Sequence, residues 1–257
     1  MNFSQMHYQS TPLVLANVWD VTSAQAAQDA GYQALGTSSA AIADMLGYKD
    51  GEELPFSVLL TLTARIGERV SLPLSVDMEA GYGEETETVV RQVLQLAELG
   101  VVGINLEDSK VEQGTRRLLD AKHFAARLSA IKAGLDAAKT QIFINARTDG
   151  FLLGEQDALN QTLARGRLYQ QAGADGFFVP CVTSPEDIQA IAGAVDLPLN
   201  VMCMPGLPDF NQLAALGVKR ISMGSFVHTA LNRKLQHLLF SFRQQGAFDE
   251  IFADENP

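Results

Sequence analysis

Two cysteines in 257 residues, Cys181 and Cys203, are too few for a disulfide framework or a four-thiolate metal centre. Cations are also scarce: 19 Lys and Arg face 30 Asp and Glu, for a formal charge of −11. Such a chain lacks the clustered basic residues that displace counterions from nucleic acid. No apolar run reaches membrane-spanning length and no basic-then-apolar leader opens the chain, so the expected address is cytoplasmic, with neither membrane nor nucleic acid as partner. None of the seven lysines falls at a strand end, which argues against a Schiff-base aldolase. None of the four histidines (His7, His123, His228, His237) closes a strand, which argues against a His-rich zinc site. No linker rich in Pro, Gly or Ser divides the chain, so residues 1–257 are read as one domain.

What is present is alternation. Short apolar runs, Leu13–Asn17, Ala34–Thr37, Leu74–Asp77, Gly103–Leu106, Ile142–Ala146, Gly176–Val179, Leu199–Val201 and Arg220–Met223, alternate with helical patterns. Eight parallel strands covered by helices make a (β/α)8 TIM barrel, for which a length of 257 residues is typical. Several strands follow one step, Asp29-Ala-Gly31, Glu98-Leu-Gly100, Gln171-Ala-Gly173 and Ala215-Leu-Gly217, where a helix stops at a left-handed Gly. Ser184-Pro185-Glu186-Asp187 is a helix start, and Asp120 and Asp157 are candidate caps. Residues 226–257 form a helical tail. Its apolar residues, Phe226 to Phe242, exceed one amphipathic stripe, so either a broad buried face or a second subunit covers them. A homo-oligomer, dimer or tetramer, is the expectation.

In such a barrel the active face lies at the carboxyl ends of the strands. Asp77 and Glu79 follow one strand, and Glu107 and Asp108 the next. Four carboxylates on adjacent strands would repel one another unless a hard cation or nearby Arg and Lys neutralise them, and oxygen-only ligands favour Mg2+, with Mn2+ as the alternative. Arg147 offers a bidentate grip on a substrate anion or an ion pair with Asp149. Thr37-Ser38-Ser39 offers hydroxyls and amides to the same anion, or simply turn chemistry. Trp19 is a candidate pocket wall, whereas Asp20 reads as a cap. Asn200 either touches substrate or ties strands together, and Cys181 reads as a small apolar residue.

Trp19-Asp20, Thr37-Ser38-Ser39-Ala40, Asp77-Met-Glu79-Ala-Gly-Tyr-Gly83, Glu107-Asp108 and Asn145-Ala-Arg147-Thr-Asp149, taken in order, resemble the isocitrate lyase/phosphoenolpyruvate mutase superfamily from about Leu13 to Ser225. The resemblance implies a barrel whose last helix is often exchanged between subunits, and a Mg2+ held partly through waters. Residue by residue, it implies Asp77 as direct ligand, Glu79, Glu107 and Asp50 as ligands through water, Ser38, Ser39 and Ala40 as contacts to the substrate carboxylate, and Arg147 as its grip. Asp50 is visible only through the resemblance. The implied chemistry is cleavage of a C–C or P–C bond in a small α-keto or 2-hydroxy carboxylic acid through a metal-stabilised enolate.

One departure stands out. The C–C lyases of the superfamily carry a K-x-C-G-H motif after the fourth strand, but here Ser109–Leu119 holds neither Cys nor His. Lys110, Glu112 or a water would have to supply the proton. The mutase-type Asn of that loop is missing too, which leaves decarboxylation or hydrolysis open. The alternatives are phosphonopyruvate mutase-type or hydrolase activity, a barrel binding a phosphorylated ligand at Gly224-Ser225, and a keto-acid sensor without turnover.

Overall fold

The structure is a computed structural model in which residues 2–252 are described; residues 253–257 of the tail lie outside them. Strands β1 (Leu13–Val14) and β2 (Ala16–Val18) are two halves of one stave. They are followed by β3 (Leu35–Thr37), β4 (Leu74–Asp77), β5 (Gly103–Glu107), β8 (Phe143–Arg147), β9 (Gly176–Val179), β10 (Leu199–Met202) and β11 (Val218–Ser222). All pair in parallel in the order β1-β11-β10-β9-β8-β5-β4-β3-β2. Leu13 pairs with Arg220 on one side and Ala16 with Leu35 on the other, so the split stave closes the barrel. The eight strands read from sequence are those observed, with ends shifted by at most two residues. The sequence reading omitted β6 (Ser109–Glu112) and β7 (Thr115–Leu118), an antiparallel hairpin standing on the loop after β5.

Helices α1 (Val21–Asp29), α2 (Ser39–Leu46), α3 (Phe56–Gly67), α4 (Thr86–Glu98), α5 (Ala121–Ala137), α6 (Ala158–Gln171), α7 (Pro185–Ala194), α8 (Phe210–Ala215) and α9 (Phe226–Gln245), with short 3-10 turns at Gln5–Tyr8 and Asp249–Phe252, complete the described elements. The recurrent step behaves as its spacing requires: Gly31, Gly100, Gly173 and Gly217 all have φ between +84° and +91°. Asp20 caps α1 in a reciprocal box with Ser23, and Ser184 caps α7 through the Asp187 amide. Asp120 caps α5. Asp157 does not cap α6, because its carboxylate accepts the Asn160 side-chain amide at 2.7 Å instead.

Ile42, Leu59, Val93, Leu96, Phe124, Ile131, Ile188 and Leu213 pack the helices against the outside of the sheet. The barrel interior is polar. Asn105, Asn145 and Asn200 form a ladder, Asn145 donating to Asn105 Oδ1 at 2.9 Å and to Asn200 Oδ1 at 3.0 Å, while Asn200 donates to Ser222 Oγ at 3.1 Å. Side-chain amides fit there because each offers both donor and acceptor to its neighbour on the next strand. Beneath lies Arg220, fully buried, reaching Asn105 Oδ1 at 3.4 Å.

Phe3, Leu13, Leu15 and Phe143 plug the bottom of the barrel, where the buried His7 ring stacks on Phe143 at 4.2 Å. His7 Nδ1 lies 3.0 Å from the Phe3 carbonyl, the geometry of a neutral ring donating there, and Nε2 has no partner. Burial, with the Arg220 charge nearby, pushes the His7 pKa down to about 3. The unfolded chain takes up this proton near pH 6.5 and the folded chain only near 3, so below 6.5 the unfolded state binds more protons. The contribution is fully present above 6.5 and is lost as pH falls from there through about 3. We expect about 2 kcal/mol of lost stability between pH 6.5 and 5, read as a falling urea midpoint that flattens in His7→Phe; an identical slope in the variant refutes the assignment.

Candidate active site

The carboxyl ends of the strands open on a cavity of about 260 Å3 whose lining includes Ser38, Ser39, Ala40, Asp50, Asp77, Asn105 and Arg147. Ser38, the residue after β3, caps α2 by accepting the Ala41 amide at 3.3 Å, which turns the positive end of α2 towards the cavity. Ser39 Oγ donates to Asp77 Oδ2 at 2.8 Å, and the Asp77 amide donates to Thr37 Oγ1 at 2.8 Å, so β3 and β4 lock the Asp77 carboxylate in place. Its other oxygen, Oδ1, is buried without a hydrogen-bond partner. A carboxylate oxygen removed from water and left bare at a cavity wall is a ready ligand for a cation.

Three further acids surround Asp77. Glu79, in the left-handed region at φ 48°, accepts the Gly51 and Glu52 amides at 2.8 and 2.9 Å and the Tyr82 hydroxyl at 2.8 Å. Burial, then the charges of Asp50 and Asp77, push its pKa up to about 7. Asp50 reaches the mouth on the turn Asp50-Gly51, its Oδ1 3.5 Å from Ser39 Oγ. Gly51 is required there: at φ 110° and packed beneath Val111 of the hairpin, it has no room for a side chain. Glu107, at the end of β5, pairs across the sheet with Arg147 at 2.9 Å. Burial pushes its pKa up against the pull of Arg147 and Arg116.

Arg147 ends β8. Its Nε meets Asp149 Oδ1 at 2.6 Å and its Nη2 meets Oδ2 at 3.2 Å, while its guanidinium carbon lies 5.7 Å from the Phe178 ring centroid. Of the two sequence readings of Arg147, the ion pair with Asp149 is present, and the same side chain lines the cavity, where a substrate anion would meet it. Arg116, absent from the sequence reading, is the second guanidinium. From the hairpin it meets Asp50 at 2.9 Å, Glu107, and Asp149 at 3.5 Å. The available signal was the Gln113-Gly114 turn, at φ 51° and 77°, which folds Arg116 back over the strand ends.

Of the other residues singled out from sequence, Asp108, Lys110, Trp19 and Asn200 are not part of the cavity lining. Asp108 turns outwards into the wall, where it accepts Thr148 Oγ1 at 2.7 Å and Arg165 Nη1 at 2.8 Å and contacts Tyr169, a structural network rather than a fourth site acid. Lys110 pairs with Glu84 on the rim. Trp19 packs edge-on against His228 and lines a separate hollow between α1 and α9. Asn200 belongs to the ladder that floors the cavity, where Asn105 rather than Asn200 reaches the lining. Cys181, at φ 66°, lines the cavity, and burial raises its pKa, so it carries its proton at neutral pH.

Among the described residues no three His, Cys, Asp or Glu side chains converge into a ready-made metal cage. Mg2+ needs none, since it keeps several waters and commonly takes one or two carboxylates directly. The bare Asp77 Oδ1 fits that mode of binding, with Asp50 beside it in the cavity lining and Glu79 and Glu107 outside the lining but close enough to feel the Asp77 charge.

Comparison with known proteins agrees with this geometry. The family model for phosphoenolpyruvate phosphomutase matches residues 3–242. The uncharacterized protein Rv1998c of Mycobacterium tuberculosis is 35% identical over 230 residues, covering 90% of this chain and 84% of that protein. Oxaloacetate decarboxylase 1 of Pseudomonas fluorescens is 31% identical over 224 residues, covering 85% and 75%. A crystal structure of a Burkholderia cenocepacia protein assigned as a phosphonomutase superposes with a TM-score of 0.87 at 40% identity, covering 92% of this chain and 97% of that one. With barrel, strand-end acids and sequence in agreement, the chain belongs to the phosphoenolpyruvate phosphomutase family.

Proposed function

We propose that this one-domain barrel is a Mg2+-dependent lyase or decarboxylase that cleaves a C–C bond of a small α-keto or 2-hydroxy carboxylic acid through an enolate. The observation that carries the reading is the bare, buried Oδ1 of Asp77, set beside the amino end of α2 and across the cavity from Arg147. Members of the family include oxaloacetate decarboxylases, and phosphonopyruvate hydrolase, which shares this fold, has been crystallised with oxalate and Mg2+.

The parts assigned to the acids rest on the family resemblance together with the bare Asp77 Oδ1. Asp77 would hold the cation directly, and Asp50, Glu79 and Glu107 would hold its waters. Bound there, Mg2+ supplies positive charge to the oxygen on which negative charge grows as the bond breaks. The α2 amino end, with Ser38, Ser39 and Ala40, receives the substrate carboxylate, as helix amino ends receive anions. Arg147, fixed by Glu107 and Asp149, needs no reorganisation to hold the same anion. Lys110, expected as a proton source, is committed to Glu84 with the hairpin as observed. A cytoplasmic address suits the two unpaired cysteines.

A phosphonate or phosphorylated ligand has one observation in its favour: Gly224 and Ser225, at the amino end of α9, line the same cavity. A panel of oxaloacetate, alkyl-malates, phosphonopyruvate and methylisocitrate with Mg2+, read by keto-acid product, separates these readings. Turnover of a carbon acid supports the proposal, and turnover of phosphonopyruvate alone refutes it. By calorimetry, Asp77→Ala is expected to abolish Mg2+-dependent oxalate binding; unchanged binding removes the metal assignment. Arg147→Ala is expected to weaken oxalate by roughly 1.5–3 kcal/mol, the value of a charge-assisted hydrogen bond, and a wild-type isotherm would end its role as the grip.

The proposal includes a homo-oligomer. Helix α9 spans 20 residues yet buries only His228 and Ser241, leaving Leu231, Leu235, Leu239 and Phe240 exposed. Apolar hollows of about 340 and 670 Å3 flank its root. A helix of this length with so little buried is an unpartnered face, and a second copy of α9 is the matching filler. Light scattering is expected to give a dimer or tetramer that the double substitution Leu235→Asp and Leu239→Asp dissociates; a wild-type monomer contradicts this.

A further inference from the structure

The floor of the cavity holds together without substrate, and it leaves one donor over. Asn105 lines the cavity while only 7% exposed, and it lies opposite Asp77 in the register of β4 and β5, so the two side chains face the same way.

Which end of the Asn105 amide is left for the cavity is decided by groups that cannot change role. At one end of the ladder Asn200 Nδ2 meets main-chain carbonyls, Val201 at 2.7 Å and Arg220 at 3.3 Å, and a carbonyl only accepts. Asn200 therefore turns Oδ1 to Asn145, and Asn145 turns Nδ2 to both of its neighbours. At the other end Arg220 Nη2 reaches Asn105 Oδ1 at 3.4 Å, and a guanidinium only donates. Burial pulls the Arg220 pKa down to about 10, which leaves it a cation at neutral pH. The two ends agree: Asn105 turns its oxygen to Asn145 and Arg220.

That oxygen accepts twice, and no described residue accepts from Asn105 Nδ2. Asn17, the other amide of the lining, has nothing to spare, since its Nδ2 donates to the Thr37 carbonyl at 3.1 Å and its Oδ1 accepts the Met223 amide at 2.6 Å. An unspent donor therefore stands next to the bare Asp77 Oδ1, and a ligand oxygen bound to a cation on Asp77 can accept from it.

Strand order says which oxygen. Strands β3, β4 and β5 are consecutive neighbours and carry, in turn, the α2 amino end, Asp77 and Asn105. With the substrate carboxylate at α2 and the cation on Asp77, the oxygen that reaches β5 is the 2-oxo oxygen, on which negative charge grows as the bond breaks. We propose that Asn105 is a catalytic residue whose Nδ2 donates to the 2-oxo oxygen of the bound acid, and that Arg220 is a positioning residue that holds Asn105 in that orientation. The proposal rests on the enolate-site reading above and adds a donor to it. A preset donor at that oxygen favours enolate over ketone, because a hydrogen bond to a charged acceptor is roughly twice as strong as one to a neutral acceptor.

The test is calorimetry with Mg2+ alone and with oxalate in the presence of Mg2+, since oxalate carries a charged oxygen where the enolate would. Asn105→Ala is expected to weaken oxalate about tenfold or more while Mg2+ alone binds as in the unmodified protein. Asn105→Asp, which keeps an acceptor for Asn145 and Arg220 but has no donor, is expected to lose oxalate at least as severely. Undiminished oxalate affinity in either variant, or a parallel loss of Mg2+ in Asn105→Ala, overturns the Asn105 assignment and leaves the enolate reading intact. Absence of Mg2+-dependent oxalate binding by the unmodified protein overturns both. Arg220→Met, or Arg220→Gln if the apolar variant does not fold, is expected to weaken oxalate as well, but to add no further loss to Asn105→Ala. Additive losses overturn the positioning role of Arg220.

Discussion

A carboxylate taken out of water demands a counter-charge, and this barrel concentrates that demand at the ends of neighbouring strands. Glu107 and Asp149 meet it with Arg147 and Arg116, while Asp108 meets it separately with Arg165 and hydroxyls in the wall. Glu79 meets it with two amides and a phenol, and in part by holding on to a proton. Glu107 Oε2 accepts no hydrogen bond but meets Arg147 at 2.9 Å, whereas Asp77 Oδ1 has neither a hydrogen bond nor an ion pair among the described residues. The chemistry assigned to the site depends on that single unanswered atom, because the surrounding network holds it rigid without satisfying it.

The barrel itself was legible because its two periodicities are separate and its punctuation recurs. Strands buried on both faces appear as short apolar runs, and a Gly able to turn left-handed precedes several of them. Arg116 and the hairpin were not legible. A short antiparallel pair on a loop buries little, so it leaves no apolar signature, and its Arg gains meaning only from carboxylates brought together from Asp50, Glu107 and Asp149. Asp108 shows the converse. Adjacent to Glu107 in sequence, it must point to the opposite side of the strand, since successive side chains alternate, and that side faces α6 and its Arg165.

The interior ladder of Asn105, Asn145 and Asn200 was likewise only half visible. Asparagine within a strand announces a buried polar role without saying whether its partner is a ligand or another strand. Register decides it: Asn105 lies opposite Asn145, so their amides meet directly. The result is a hydrogen-bonded floor that is independent of substrate and keeps the staves bearing Asp77 and Arg147 at fixed spacing.

The split first stave links the two ends of the chain. Leu13 and Val14 have no neighbour on their outer side until Arg220 and Ile221 arrive, some two hundred residues later. Every earlier strand can zip onto its predecessor, but the seam closes last and carries the largest loop-closure entropy in the molecule. A nascent chain halted before Val218 would therefore present an open sheet with two bare edges, the form of the protein most exposed to mispairing with its neighbours.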